Sequence, residues 1–225
     1  LHKEYRRQRQ MCIRDRLEAW EPTLDGLVAR IHLAGDDSPR ELVLPVPGEH
    51  MALNALAALI AVRDYGGDVS EALEALTHFG GVNRRFQYHG HVGGIRVYDD
   101  YAHHPTEARA VLTAAREVAD ADAQGLGHPG RVIVCFQPHL FSRTEQFAEE
   151  FAKALDLADY AIVLDIYGAR EKPIPGVTSE LITTQLTIPH KYQPDFSKVP
   201  YDVAAIAEPG AVSYTHLRAH ETPEH

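Results

Sequence analysis

The sequence predicts an α/β fold in which helices flank a mostly parallel sheet. Two observations lead to this prediction. From Arg131 onwards, short apolar stretches alternate with helix-length stretches, as in parallel sheets. Dense polar runs also follow two predicted strands, at 99–105 and 137–144, where a strand ends and a helix begins. The composition agrees, because 225 residues with 44% hydrophobic and 24% charged residues are typical of a globular chain.

The first part of the chain is predicted to contain two strands and two helices. The strands are expected over 24–33 and 41–46, and the helices over 50–65 and 70–78. Gly66 and Gly67 end the first helix, because glycine readily adopts the left-handed conformation found after helices. Asp68 or Ser70 is expected to cap the second helix.

The second part begins with a predicted hairpin and continues with alternating strands and helices. The predicted elements are strands over 86–92 and 95–99, a helix over 105–119, a strand over 131–136, a helix over 144–155 and a strand over 160–165. Gly93 and Gly94 form the hairpin turn. Pro105 suits the first turn of a helix, and Ser142 with Glu145 forms a predicted capping box.

Charge, hydropathy and cysteine content limit the functional classes. The net charge of −10 argues against general nucleic-acid binding. No apolar run approaches the roughly 20 residues of a membrane span, so no membrane partner is expected. The two cysteines, Cys12 and Cys135, form no disulfide framework, and a reducing cytoplasm is the expected location.

Five ordered motifs together resemble the Mur ligase family. They are Gly48–Ala58, Gly81–Phe86, Asp99–Pro105, Gln137–Thr144 and Asp165–Val177. Each motif alone would be weak, but five in order over about 17–210 are specific. The resemblance implies a C-terminal Mur ligase domain with a Rossmann-like, mostly parallel sheet flanked by helices, preceded by a partial central ATPase-type α/β domain.

The resemblance also implies domain boundaries. Residues 17–82 correspond to the C-terminal part of the central ATP-binding domain, and 83–210 to a truncated C-terminal domain. Residues 1–16 and 211–225 show no core periodicity and interrupt the family pattern. Because both also resemble translated sequencing-adaptor sequence, we interpret them as non-native extensions. The alternative is an ordinary basic arm and a disordered tail.

Within the family, the pattern is most similar to members that use ATP to join L-alanine to UDP-N-acetylmuramate through an acyl phosphate, in peptidoglycan precursor synthesis. The implied partners are ATP, UDP-N-acetylmuramate and L-alanine, with Mg²⁺ as the metal. No Gly-x-x-x-x-Gly-Lys-Ser/Thr motif occurs in the chain. The phosphate loop and the Mg²⁺ ligands are therefore expected upstream, and the chain alone is expected to be inactive.

Three other functions fit parts of the pattern. A Mur ligase that recycles whole peptides shares the Asp-Asp…His-His-Pro run but is not expected to carry the 137–144 run. A non-catalytic nucleotide-binding module would also place an acid after a strand, although Gly-x-Gly-x-x-Gly is absent. A metal-dependent hydrolase would use Asp100, His103 and His139, although no spacing matches a known zinc pattern.

The resemblance implies three residues on the ATP side. Asn54 lies on the apolar helix and matches an asparagine that contacts adenine. Arg85 matches an arginine near the nucleotide phosphates, and a guanidinium fork suits phosphate oxygens. Asp100 matches an acid that hydrogen-bonds the ribose, while its neighbour Asp99 points to the opposite face of the strand and is the weaker candidate.

Three further residues are expected on the substrate side. Arg143 combines a fork-shaped cation with a helix N-terminus, so a carboxylate or phosphate would fit there. The resemblance implies that His103 donates to phosphate or carboxylate oxygens and that His139 lies at the same site. The charged run Arg170–Lys172 is assigned no chemical role, and no catalytic residue or metal ligand is assigned within the chain.

Overall fold

The computed structural model describes residues 15–23, 26–123 and 129–207, and the backbone of 211–215. It separates into two compact units, Leu1–Gly81 and Val82–His225.

The first unit is an antiparallel sheet covered by helices. Its strands are β1 (Arg16–Thr23), β2 (Gly26–His32) and β3 (Arg40–Leu44), paired in that order, and its helices are α1 (Glu49–Asp64) and α2 (Val69–Thr77). Alternate side chains of β2, such as Leu27 and Ile31, are buried against Leu56 and Leu59 of α1. The alternation of apolar and polar side chains along the strand therefore determines which face of the sheet packs against the helix.

The predicted elements of this unit are confirmed within a few residues. The side chain of Asp68 accepts hydrogen bonds from the backbone N–H groups of Ser70 (2.6 Å) and Glu71 (3.3 Å), so Asp68 is the cap of α2. Strand β1 was not predicted. Its side chains are mostly exposed and give no apolar alternation, because β1 lies at the edge of the sheet.

Asp15 and Arg16 lie within the stretch 1–16 that we interpret as an extension, yet the structure places them against the first unit. Arg16 begins β1. The side chain of Asp15 is 5% exposed, and its Oδ1 accepts hydrogen bonds at 2.6 Å from the Ala34 N–H and from Arg63 of α1. These two residues therefore belong to the folded unit. A polar contact of this kind leaves no hydrophobic period in the sequence. Residues 1–14 lie outside the described ranges.

The second unit is built on a six-stranded sheet in the order β4–β5–β9–β6–β7–β8. The strands are β4 (Gln87–Val92), β5 (Ile95–Asp99), β6 (Arg131–Phe136), β7 (Tyr160–Val163), β8 (His190–Tyr192) and β9 (Ala211–Thr215). Only the β4–β5 pair is antiparallel, and the other four pairs are parallel. The predicted mostly parallel sheet is confirmed.

Helices cover both faces of this sheet. They are α3 (Pro105–Ala123), α4 (Phe141–Leu155), α5 (Glu180–Thr183) and α6 (Val199–Ile206), with a 3₁₀ turn at Phe196–Lys198. On one face, Val134 and Phe136 pack with Leu112 of α3, and on the other, Cys135 packs with Val199 of α6. Strand β6 is buried on both sides, which is why it is a continuous apolar run.

Strand β9 is the largest departure from the predicted boundaries. The sequence predicts that the C-terminal domain ends at 210. However, the backbone of Ala211–Thr215 pairs in parallel with β5 on one side and with β6 on the other. Backbone pairing requires only an extended segment of suitable length, and Val212, Tyr214 and Thr215 are residue types that favour strands. Residues 216–225 lie outside the described ranges.

Two local predictions in this unit have opposite outcomes. The hairpin turn is confirmed, with Gly93 and Gly94 at φ 61° and 84°, a conformation that suits glycine. The capping box of Ser142 and Glu145 is wrong. Helix α4 begins at Phe141, earlier than predicted, and Ser142 within its first turn bonds to Glu171 instead.

Candidate functional site

The candidate site lies where three parallel strands of the second unit end. The Asp99–Pro105 run follows β5, the Gln137–Leu140 segment follows β6, and the Asp165–Glu171 segment follows β7. The carboxyl ends of parallel strands meet at one edge of a sheet, and open α/β sheets bind ligands there. The two polar runs identified from the sequence are therefore neighbours in space.

Arg143 joins these segments. Its Nη1 donates to the backbone oxygen of His103 at 3.2 Å and lies 3.3 Å from Nδ1 of His139. The rings of His103 and His139 are 6.2 Å apart, centroid to centroid. The three residues expected on the substrate side thus form one cluster. Nη2 and Nε of Arg143 make no hydrogen bond within the described part of the chain.

The hydrogen bonds assign the neutral tautomers of the two histidines. Arg143 can only donate, so Nδ1 of His139 accepts and its Nε2 carries the proton. Nδ1 of His103 lies 2.9 Å from the backbone oxygen of Tyr101, so this nitrogen carries the proton and Nε2 accepts. The donor role expected for His103 from the sequence requires its protonated form, because Nε2 is an acceptor in this tautomer.

The electrostatics favour a neutral His139. Burial, together with the positive charges of Arg143 and a protonated His103, lowers the pKa of His139 below its ordinary value. The cluster therefore offers a cation at Arg143 and, in the neutral tautomers, a donor at His139 and an acceptor at His103. A carboxylate suits the first two groups, and an amine or ammonium N–H suits the third.

Sequence reasoning missed several side chains that hold this cluster. The Glu107 carboxylate accepts from the backbone N–H of His103 at 2.9 Å and lies 3.6 Å from its Nδ1. The ring of Tyr167 stacks on His139 with centroids 5.8 Å apart. His104 packs edge-on against Phe147 of α4. The acid in the first helical turn was a visible signal for Glu107, but only tertiary pairing brings Tyr167 to His139.

Asp100 ties the beginning of the second unit to the end of β5. Its two oxygens accept hydrogen bonds from the backbone N–H groups of Phe86 (2.7 Å) and Ala102 (2.6 Å). The backbone N–H of Tyr101 donates to the Arg84 oxygen at 2.8 Å. Arg84 and Phe86 both have positive φ, at 59° and 47°, which costs energy for non-glycine residues. The contacts to Asp100 and Tyr101 hold this strained turn.

The geometry of Asp100 differs from the one expected for a ribose contact. Asp100 is 3% exposed, and burial raises the pKa of its carboxyl to about 6. Its oxygens keep further lone pairs beside the two backbone hydrogen bonds, but a ribose hydroxyl could reach them only if the carboxylate became more exposed. The side chain of Asp99 is 30% exposed, and burial also raises its pKa. Asp99 is the more accessible carboxylate at this strand end.

The remaining residues expected on the ATP side are accessible. Arg85 is exposed in the second unit, so its guanidinium can meet a phosphate. Asn54 is exposed on α1 of the first unit, where its amide lies 4.0 Å from the Met51 sulfur. No group of three His, Cys, Asp or Glu side chains that could hold a metal is found among the described residues. None of the described helices has the length and apolarity to span a membrane.

Comparisons with known proteins give consistent results. A family model described as Mur ligase, glutamate ligase domain, matches residues 84–215. The UDP-N-acetylmuramate–L-alanine ligase of Rhodococcus opacus (strain B4) is 54% identical over 207 residues, which cover 89% of this chain and 41% of that protein. The ligase of the same name from Mycolicibacterium smegmatis is 52% identical over 199 residues, with coverage of 88% and 40%.

Solved structures agree with these relatives. The UDP-N-acetylmuramate–alanine ligase of Thermotoga maritima has a TM-score of 0.71 at 29% identity, covering 92% of this chain and 43% of that one. A MurF ligase from the same organism, in complex with ADP, has a TM-score of 0.67 at 20% identity, a likeness of fold alone. The chain spans about two fifths of the length of the curated relatives it matches.

Proposed function

Because the chain belongs to the Mur ligase family, we propose that it forms part of an ATP-dependent ligase that joins L-alanine to UDP-N-acetylmuramate in peptidoglycan precursor synthesis. The observation that carries the proposal is the identity of 54% with a ligase of that name over 89% of the chain. The cluster of Arg143, His103 and His139 supports it, because these groups suit the carboxylate and amine of an amino acid.

We assign the domains in the same proposal. Residues 17–82 form the end of a central ATP-binding domain, and the C-terminal domain begins at 83. This domain is predicted to end at 210, although the family match to 215 and strand β9 favour a later end. ATP and Mg²⁺ are the proposed cofactors, with the Mg²⁺ ligands in the part of the ligase not contained here. The proposed location is cytoplasmic, and the buried free thiol of Cys135 is compatible with it.

On the nucleotide side, we assign Asn54 to the adenine and Arg85 to the phosphates. Both side chains are exposed, as such contacts require. The ribose role of Asp100 stays a prediction, because its carboxylate is almost fully buried. ATP supplies the phosphoryl group that activates the muramate carboxylate as an acyl phosphate.

On the amino-acid side, the cluster binds and orients L-alanine. The carboxylate of alanine is bound by Arg143 and by the Nε2–H of His139. The acceptor at Nε2 of His103 takes a hydrogen bond from an N–H of alanine and orients the nitrogen, which attacks the acyl carbon as the neutral amine after the ammonium has lost a proton to solvent. When the amide bond forms, the bond between the acyl carbon and the phosphate oxygen breaks, and phosphate leaves with the second proton that the nitrogen gives up. Positioning of this kind lowers the barrier without a covalent enzyme intermediate.

The test is the replacement of Arg143 in a complete ligase that contains this chain. Arg143→Ala should raise KM for L-alanine roughly 10-fold or more, because a charge-assisted contact of about 1.5–3 kcal/mol is lost. KM for ATP should not change. Arg143→Lys should restore binding only in part, since a point charge does not replace the fork. Steady-state kinetics with each substrate varied in turn provides the measurement.

Arg109→Ala is the matched control, because Arg109 is an exposed arginine of α3. It should leave both KM values unchanged. A complete wild-type ligase that uses short peptides but not L-alanine would contradict the proposal and favour the peptide-recycling relative. An Arg143→Ala variant with an unchanged KM for L-alanine would contradict the residue assignment.

A further inference from the structure

The turn that carries Arg143 is separated from the rest of α4. Leu140 enters the helix at φ 71°, and Phe147 has φ −122° and ψ 21°, which is not helical. Residues 141–146 thus form a short helical segment between two backbone breaks. Segments of this length are unstable by themselves, because too few hydrogen bonds offset the cost of nucleation. The position of Arg143 must therefore be fixed by contacts from elsewhere.

The Tyr167–Glu171 segment supplies these contacts. The Leu140 N–H donates to the Tyr167 oxygen at 2.9 Å, and the Tyr167 N–H donates to the Pro138 oxygen at 2.8 Å. The ring of Tyr167 stacks on His139. Gly168 lies so close to Phe141 that a Cβ atom at Gly168 would be 2.6 Å from the phenylalanine ring.

Glu171 completes the segment with a cap on the helix itself. Its Oε2 accepts from the backbone N–H of Ser142 at 3.0 Å, and its Oε1 accepts from the Ser142 hydroxyl. These hydrogen bonds lower the pKa of the Glu171 carboxyl, which is therefore charged at neutral pH. The charge lies at the positive end of the helix, where an acid is stabilising.

This cap changes how an anion can bind at the site. The sequence favours an anion bound jointly by the helix N-terminus and the Arg143 guanidinium. The structure shows that the chain's own carboxylate already accepts the Ser142 N–H. A substrate carboxylate therefore depends on the side chains of Arg143 and His139, and their placement becomes decisive.

We propose that Glu171 is a positioning residue for the amino-acid site. Its carboxylate holds the turn that carries Arg143 and keeps Tyr167 stacked on His139, and it does not itself touch the substrate. The substrate part of this proposal rests on the proposed ligase function. The cap does not rest on it and can be tested separately.

Hydrogen exchange tests the cap in the complete ligase. In Glu171→Ala, the exchange of the Ser142 amide, followed by mass spectrometry of a peptide over 137–146, should be at least about 10-fold faster than in wild type. A peptide over 148–155, beyond the break at Phe147, should exchange at the wild-type rate. Glu171→Gln should give an intermediate rate, because one of the two accepting oxygens becomes an NH₂ group, which can only donate.

Kinetics tests the positioning role. Glu171→Ala should raise KM for L-alanine at least about fivefold while KM for ATP stays within about twofold, and Glu171→Gln should rescue part of the loss. The matched control is Glu145→Ala, which removes an exposed acid of the same helical segment that makes no hydrogen bond among the described residues. The control should leave KM for L-alanine unchanged.

The two measurements separate the ways in which the proposal can fail. Unchanged Ser142 exchange in Glu171→Ala would overturn the cap, whatever the activity. Faster exchange with an unchanged KM for L-alanine, or with equal effects on both substrates and on thermal stability, would show a merely structural role and overturn the positioning proposal. A wild-type ligase that does not use L-alanine at all would overturn the proposed function, and with it the substrate part of the inference.

Discussion

At the scale of single residues, Asp100 shows that a motif acid can be required for the structure of the site. Its carboxylate holds the strained turn at Arg84 and Phe86 and is almost fully buried. Burial raises its pKa from 3.8 to about 6. The folded state therefore binds a proton more tightly than the unfolded state does between these two values. The contribution of Asp100 to stability is largest below pH 4 and is lost as the pH rises to 6.

We expect to see this loss of stability when the wild type is compared with Asp100→Asn, whose side chain cannot ionise. Between pH 4 and pH 7, the free energy of unfolding of the wild type should fall relative to the variant by up to about 3 kcal/mol. Urea unfolding at half-unit intervals of pH provides the measurement. Asp120→Asn, which removes a carboxylate that is 56% exposed, should show no such trend. A difference between wild type and Asp100→Asn that does not change with pH would contradict the shifted pKa.

The residues of the candidate site could be predicted only in part. His103, His139 and Arg143 were identified because their residue types and their positions after two strands indicate chemistry. Glu171 was not, because it lies 29 positions from Ser142 and nothing local indicates the pairing. The burial of Asp100 could not be predicted for a related reason. Alternation along a strand shows that neighbouring carboxylates face opposite ways but not which of them is buried.

At the scale of elements, the predictions succeeded where a period or a turn signal is present. The apolar run of β6, the Gly93–Gly94 turn and the Asp68 cap are all in place. Strands β1, β8 and β9 were missed, and so were helices α5 and α6. Strands β1 and β8 are mostly exposed, and β9 owes its place to backbone pairing with β5 and β6, which leaves little trace in a sequence.

The central position of β9 predicts the effect of truncation. Deletion of 211–225 should lower the free energy of unfolding of the second unit by roughly 2 kcal/mol or more, because hydrogen bonds to both β5 and β6 are lost. Deletion of 216–225 alone is the matched control and should have little effect. Thermal and urea unfolding of the wild type and of the two deletion variants provides the measurement. Equal stability of all three would show that 211–215 is dispensable, as the interpretation as an extension implies.

At the scale of the whole molecule, the chain contains the proposed amino-acid site without a phosphate loop. We therefore expect the 225-residue chain alone to release no phosphate from ATP in the presence of UDP-N-acetylmuramate and L-alanine. A colorimetric phosphate assay against a blank without protein measures this, and a complete ligase is the positive control. Phosphate release that depends on the chain and disappears in Arg143→Ala would contradict the expectation.

The strand order also has a consequence for how the protein is made. Strand β5 ends at Asp99, yet its sheet neighbour β9 begins only at Ala211, roughly a hundred residues later in the chain. At about 5–20 residues per second, a ribosome needs several seconds to bridge that interval. During this time β5 and β6 have been synthesised while the strand that separates them has not, and open strand edges invite aggregation. The second unit thus completes its sheet only after β9 has been made, through a long-range loop closure that makes folding slow and chaperones useful.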